Sequence, residues 1–299
     1  MLDGVTAAAA AAPDPDQRTP PSAPTTPEHR RGRARQSPHL SWELIPAAGV
    51  AASAVLLFGL GLPLAGYLTL IASVSAAAFL NRALAADLLL IAMGIGIVST
   101  ISVAANISYA NMLLMGVVLT LAVAVPYLIE RFGYRRRSIR FPMKTGKRWS
   151  TLERSYLVLV VFLAWAILPS YFIGSGAYQR WPAVQSPDEL ARLFVGVNAV
   201  GIWDELFFIC VIFTLLRRHF PLWQANILQA TVFVSFLWEL GYQGWGPLLT
   251  IPFALLQGWI FARVKSLTYV VCVHLLFDLF VFLILVHAHN PDWLPIFFY

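Results

Sequence analysis

The sequence predicts an all-α protein, a polytopic transmembrane helix bundle of about nine spans behind a disordered N-terminal arm, and three observations carry that reading. The chain is 59% hydrophobic and only 12% charged, against roughly 25% charged in an average soluble domain. From Leu44 onward it falls into nine apolar segments, most of them long enough to cross a bilayer core at about 1.5 Å per residue. Its 21 Lys and Arg residues are unevenly placed: with the arm in the cytoplasm, nineteen fall in the arm or in loops on that side, leaving Arg180 and Arg192 outside. Topology thereby accounts for the basic surplus, and no nucleic-acid partner is required.

Taken in order, residues 1–40 are rich in Ala, Pro, Thr and Arg and nearly free of aliphatic and aromatic side chains. Such a stretch cannot bury enough apolar surface to offset the entropy of ordering, so it reads as a disordered arm. Arg18, Arg30, Arg31, Arg33 and Arg35 suit the anionic cytoplasmic leaflet, and Pro and Arg where an apolar core should lie argue against a signal peptide. Residues 41–129 carry the N-terminal transmembrane helices, expected at 44–61, 64–80, 83–104 and 107–129. Residues 130–155 form a basic cytoplasmic loop, whose Arg135, Arg136, Arg137, Lys144, Lys147 and Arg148 read chiefly as topology signals. Residues 156–299 hold the remaining spans, at 156–174, 193–216, 224–243, 247–262 and 267–287. Pro63, Pro221 and Pro247 mark breaks, while Pro46, Pro126, Pro169 and Pro252 fall inside or near spans. Ser186, Pro187, Asp188 and Glu189 read as a helix start, with a hydroxyl cap, proline at the first position and acids in the first turn. Cys210 and Cys272 lie in apolar runs, so no disulfide is expected. The tail Trp293, Phe297, Phe298 and Tyr299 reads as an interfacial aromatic belt.

Ionisable groups inside the late spans are the feature that calls for a function. A carboxylate at the centre of a spanning helix costs roughly 2.5–3.5 kcal/mol on insertion scales, and Asp204, Glu205, Glu239 and Asp278 all sit in such segments. They imply a polar interior. His274 and Asp278 are four apart and share a helix face. Asp204 and Glu205 are neighbours, about 100° apart around an α-helix, so one is expected to act on water as a general base while the other takes a separate partner. Measured from the inner ends of their spans, Asp204, His274 and Asp278 lie at depths of about 18, 11 and 17 Å, one shared layer, with Glu239 deeper at about 23 Å. Glu239 and Gln243, four apart, with Tyr242 alongside, offer polar groups on a third helix. The candidate set is therefore Asp204, Glu205, Glu239, Tyr242, His274 and Asp278. Asp87 reads as a single helix-to-helix hydrogen bond that Asn106 and Asn111 could join. Carboxylate and imidazole also suit Zn²⁺, but without a second histidine a metal-free water is favoured and no cofactor is expected. A proton-coupled transporter would use the same residue types, although no inverted repeat is visible.

The order and spacing of these groups resemble the CPBP family of intramembrane endopeptidases, which includes CAAX-processing proteases and bacteriocin-processing or immunity (ABI-like) proteins. That family carries EExxxR in one span, FxxxH in the next, and HxxxN or HxxxD in a later one. Asp204-Glu205-Leu206-Phe207-Phe208-Ile209 is similar to the first motif, and Leu215-Leu216-Arg217-Arg218-His219-Phe220 to the exit from that helix. Trp238-Glu239-Leu240-Gly241-Tyr242 aligns with the second. Gly258-Trp259-Ile260-Phe261, then Ser266-Leu267, then His274-Leu275-Leu276-Phe277-Asp278 resemble the last part. The resemblance implies hydrolysis of a peptide bond in a membrane-associated protein or peptide. Asp204 would activate the water, with His274 and Asp278 positioning it and stabilising the oxyanion. The basic loops put the N-terminus in the cytoplasm, the expected location is the plasma membrane, and the expected partners are the lipid bilayer and that substrate. Four positions depart from the pattern: Asp204 stands for Glu, Ile209 for Arg, Trp238 for Phe and Tyr242 for His. Tyr242 can donate a hydrogen bond but is a poor base near neutral pH. Without the motif arginine, Glu205 is expected to be protonated or bonded to a neighbouring helix. A diverged, non-catalytic member that binds a membrane partner is the alternative the same residues allow.

Overall fold

A computed structural model describes residues 41–143, 146 and 148–297. The expected arm, Lys144, Lys147, Phe298 and Tyr299 lie outside the described residues. These contain no strand and fold as nine helical rods joined by short connections. The rods are α1 (Leu44–Gly59), α2 (Pro63–Leu80), α3 (Arg82–Val98), α4 (Tyr109–Gly133), α5 (Thr151–Phe172), α6 (Pro187–Leu216), α7 (Leu222–Leu240), α8 (Pro247–Val264) and α9 (Leu267–His289). Six of them, α2, α4, α5, α6, α8 and α9, are long and apolar enough to cross a membrane by length and composition. The protein is an integral membrane protein.

Several rods begin earlier than the apolar runs suggest, because their first turns are polar. Ser150 accepts from the Glu153 backbone N–H while the Glu153 carboxylate accepts from that of Ser150, and this reciprocal cap starts α5 at Thr151. Ser186 and Glu189 form the same box, with Pro187 at the first helical position, and launch α6. The basic connection is accordingly shorter than expected, running from 134 to 150. Its start is fixed by Glu130, whose buried carboxylate accepts from the backbone N–H groups of Ser138 and Ile139 at 2.6 and 3.0 Å.

Contacts between connections sort the helix ends into two sets. At one end, Asn81 donates to Glu43 at 2.7 Å, the 134–150 connection reaches the start of α9 through Leu267 N–H to the Pro142 carbonyl at 3.0 Å, and the turn after α6 reaches α3. At the other end, Tyr67 meets Ser99 at 2.9 Å, Arg192 donates to the Ile107 carbonyl, Arg180 to Gln243 at 3.0 Å and Asn290 to the Val184 carbonyl at 2.8 Å. Such alternation is what nine successive crossings require.

Helix α6 is the axis: 72% of its most apolar window is buried, against 22% for α2 and α4. Trp203 donates to the Leu119 carbonyl of α4 at 2.7 Å, and Phe208 stacks on Phe233 of α7 at 4.6 Å between ring centres. Asp87 does more than expected. It is 1% exposed in α3 and holds Arg136 at 2.8 Å, Arg218 at 3.1 Å and His219 at 2.7 Å. Asn106 and Asn111 do not join it; Asn111 donates to the Asn106 carbonyl in the opposite set of ends. One carboxylate thus ties two connections to one helix. Breaking a fully buried pair costs about 3–5 kcal/mol, but the Arg136 and Arg218 side chains keep 24% and 34% exposure and can turn to water. We therefore expect Asp87→Ala to destabilise by about 1–3 kcal/mol, measured by thermal melting in detergent. Unchanged melting would show that the hub carries no stability.

Candidate active site

Immediately after Asp204 the backbone of α6 widens into a π-helical stretch, Glu205–Phe213, before closing as α-helix at Thr214–Leu216. Single π turns inside α-helices are frequent at functional sites. This widening lets two neighbouring carboxylates address one imidazole from opposite sides. Glu205 Oε1 lies 2.8 Å from His274 Nδ1, while Asp204 Oδ2 lies 3.6 Å and Asp278 Oδ1 3.9 Å from Nε2. All four residues are buried, none more than 5% exposed. The first distance is a hydrogen bond. The other two are too long for one and short enough for a single water molecule to bond both partners.

Asp204 and Glu205 lie against different nitrogens of the ring, and Glu205 bonds to neighbouring helices. Its Oε1 also accepts from Gln257 Nε2 of α8 at 2.7 Å. Phe253 sets its ring edge-on to His274 at 5.0 Å. Asp204 Oδ1 and Asp278 Oδ2 are buried and meet no donor among the described residues, a state that native structures rarely leave unexplained.

Close approach of α6 to α9 rests on Gly201. A methyl group there would lie 1.8 Å from Asp278 Oδ2 and 3.2 Å from His274 Cδ2. Beyond the cluster opens a cavity of about 960 Å³ between α4 on one side and α6 and α9 on the other. Asp204, His274, Asp278 and Tyr242 contribute to its wall, and Met115, Leu119 and Val123 of α4 line the apolar side opposite. Tyr242 is held there by packing, parallel to Tyr171 at 6.2 Å and edge-on to Trp181 at 5.8 Å.

Glu239 is not brought to this site. Its carboxylate accepts from Val103 N–H and the Ser102 hydroxyl, both at 3.2 Å, and it does not line the cavity. The expected shared face of Glu239 and Gln243 fails because α7 ends at Leu240. Gly241 adopts φ +134°, a region open to glycine, and turns the chain away from the helical path. Tyr242 and Glu239 therefore part. Gln257 and Gly201 were absent from the candidate set. Gln257 left one signal, an amide in an otherwise apolar span, and Gly201 left none beyond its small size.

Carboxylates and an imidazole are the donor types that Zn²⁺ takes. Among the described residues, however, no three His, Cys, Asp or Glu side chains form a group that could hold a metal ion.

Residues 186–280 match the family model described as type II CAAX prenyl endopeptidase Rce1-like. No curated protein and no solved structure matches the chain. The matched stretch runs from the Ser186 cap of α6 to just beyond Asp278, taking in each helix that carries the His274 cluster. That part of the chain is similar to the CPBP/CAAX protease family, whose motifs its own residues resemble.

Proposed function

We propose that the protein is an intramembrane endopeptidase that hydrolyses a peptide bond of a prenyl-anchored, membrane-associated protein or peptide. One observation carries this reading: a buried carboxylate oxygen and an imidazole nitrogen stand 3.6 Å apart at the wall of a large apolar cavity, close enough for one water beside them to bond both. Asp204 takes a proton from the water as its oxygen adds to the scissile carbonyl carbon. His274 Nε2 and Asp278 hold that water in line, Glu205 fixes the ring through Nδ1, and the Tyr242 hydroxyl is the donor for the oxyanion. Collapse of the adduct breaks the C–N bond, and the proton held by Asp204 leaves with the amine. Apolar walls along α4 and α6 would take the lipid chain that keeps the substrate in the membrane, since burying each CH₂ is worth about 0.8 kcal/mol. The arm and the ends carrying Arg136 and Arg218 would face the cytoplasm of the plasma membrane, following the placement of nineteen of the 21 Lys and Arg.

The test is cleavage by protein reconstituted in lipid nanodiscs, with a farnesylated CAAX-type peptide and its unprenylated twin as substrates and products read by mass spectrometry. Cleavage of the prenylated peptide, with the twin at least about tenfold slower, is expected. Binding of both peptides without hydrolysis would overturn the enzyme reading and leave a membrane binding protein.

A further inference from the structure

The mechanism above gives no task to one buried amide that touches the cluster. Gln257 is 1% exposed in the middle of apolar α8. Its Nε2 stands between two groups that only accept: Glu205 Oε1 at 2.7 Å and the Val270 carbonyl at 3.1 Å. With acceptors on both sides, the amide nitrogen must occupy that position. Its Oε1 is buried and meets no donor among the described residues, so the side chain is held entirely by its N–H groups. Val270 lies one helical turn before His274 in α9, so a single amide joins the π-helical Glu205 to the turn that carries the imidazole. The family motif places an arginine four residues after Glu205, where this chain has Ile209.

We propose that Gln257 is the positioning residue of this site. It donates to Glu205 so that Glu205 holds His274 by Nδ1 and turns Nε2 toward Asp204 and Asp278, in place of the missing cation. The claim deepens the peptidase reading and, for its rate arm, rests on it. With the amide removed, Glu205 Oε1 keeps only the His274 bond, and carboxylate and ring can swing together out of line. A displacement on the order of 1 Å costs about a hundredfold at the extreme.

The experiment compares Gln257→Met, which keeps length and loses the donor, with Gln229→Met. Gln229 is equally buried in α7 but bonds Asn226 and the Ala254 carbonyl, away from the cluster. For Gln257→Met we expect kcat on the farnesylated peptide to fall about ten- to thirtyfold with KM within about threefold, and Gln229→Met to leave kcat in place whatever its melting temperature. Nitrogen-15 NMR of the ring of His274, assigned by its loss in His274→Gln, reads the same claim without turnover. Its two nitrogen shifts should change in Gln257→Met and stay fixed in Gln229→Met. Unchanged ring shifts in Gln257→Met, or equal kcat losses in both variants, would overturn the assignment. Should the wild type cleave no peptide, the peptidase reading fails while the NMR comparison still decides the role of Gln257.

Discussion

Replacing Asp204 with alanine is expected to lower hydrolysis of a prenylated peptide by about a thousandfold, the scale of a lost general base, while the protein stays folded. The two halves of that expectation have separate causes. Asp204 Oδ2 lies 3.6 Å from Nε2 of the imidazole, and among the described residues the other carboxylate within 4.0 Å of Nε2 is Asp278 at 3.9 Å. Stability should survive because Asp204 is one of three carboxylates around one imidazole, and its Oδ1 makes no hydrogen bond among the described residues. Its removal ends both its repulsion with Asp278 and Glu205 and its 3.6 Å pairing with His274, and His274 keeps Glu205 and Asp278 beside it. Melting of Asp204→Ala should therefore stay close to that of the wild type. Glu239→Ala is the internal comparison. Its carboxylate binds the 99–108 connection and not the cluster, so kcat should remain within about threefold. Near-wild-type turnover by Asp204→Ala, or its loss in Glu239→Ala, would place the chemistry elsewhere.

The convergence of Asp204, His274 and Asp278 was legible in the sequence because it depends on little. A helix rises by about 1.5 Å per residue whatever its neighbours, so depth follows from an offset, and carboxylates at one depth in lipid have few places to go. The all-helical bundle was legible for the same reason. What failed depended on backbone turns or distant partners. Glu239 and Tyr242 look like one helical face until Gly241 takes φ +134° and ends the helix between them. Helix starts such as Thr151 and Pro187 precede the apolar runs because Ser150 and Ser186 cap polar first turns that hydropathy does not register. Asp87 looks solitary because its partners Arg136, Arg218 and His219 lie 49, 131 and 132 residues away. Gln257 and Gln229 are indistinguishable as buried amides until Glu205 is found beside one of them.

Gly201→Ala should reduce turnover by about a hundredfold through a contact that no motif contains. In α6, Gly201 sits against the face of α9 that carries His274 and Asp278: an added Cβ would lie 1.8 Å from Asp278 Oδ2 and 2.9 Å from its Cγ. Small residues at such crossings are what allow membrane helices to approach. Two responses are open to the alanine variant, and both damage the site. Either the Asp278 carboxyl rotates out of the space, losing its alignment on His274 Nε2, or α6 and α9 part and the 3.6 Å gap between Asp204 and His274 widens beyond the reach of one water. The first response costs little stability; the second costs about 1–3 kcal/mol, as for other overpacked interiors. Kinetics and melting of the same variant therefore tell them apart, with a rate loss at constant melting temperature pointing to rotation. Gly196, on the same helix and lining the same cavity, has nothing within 4 Å of an added Cβ. Gly196→Ala should keep both rate and stability, so a general intolerance of α6 to alanine is separable from the local contact. If Gly201→Ala turned over at the wild-type rate, the placement of Asp278 against His274 would be irrelevant to catalysis, and the water would have to be held by Asp204 alone.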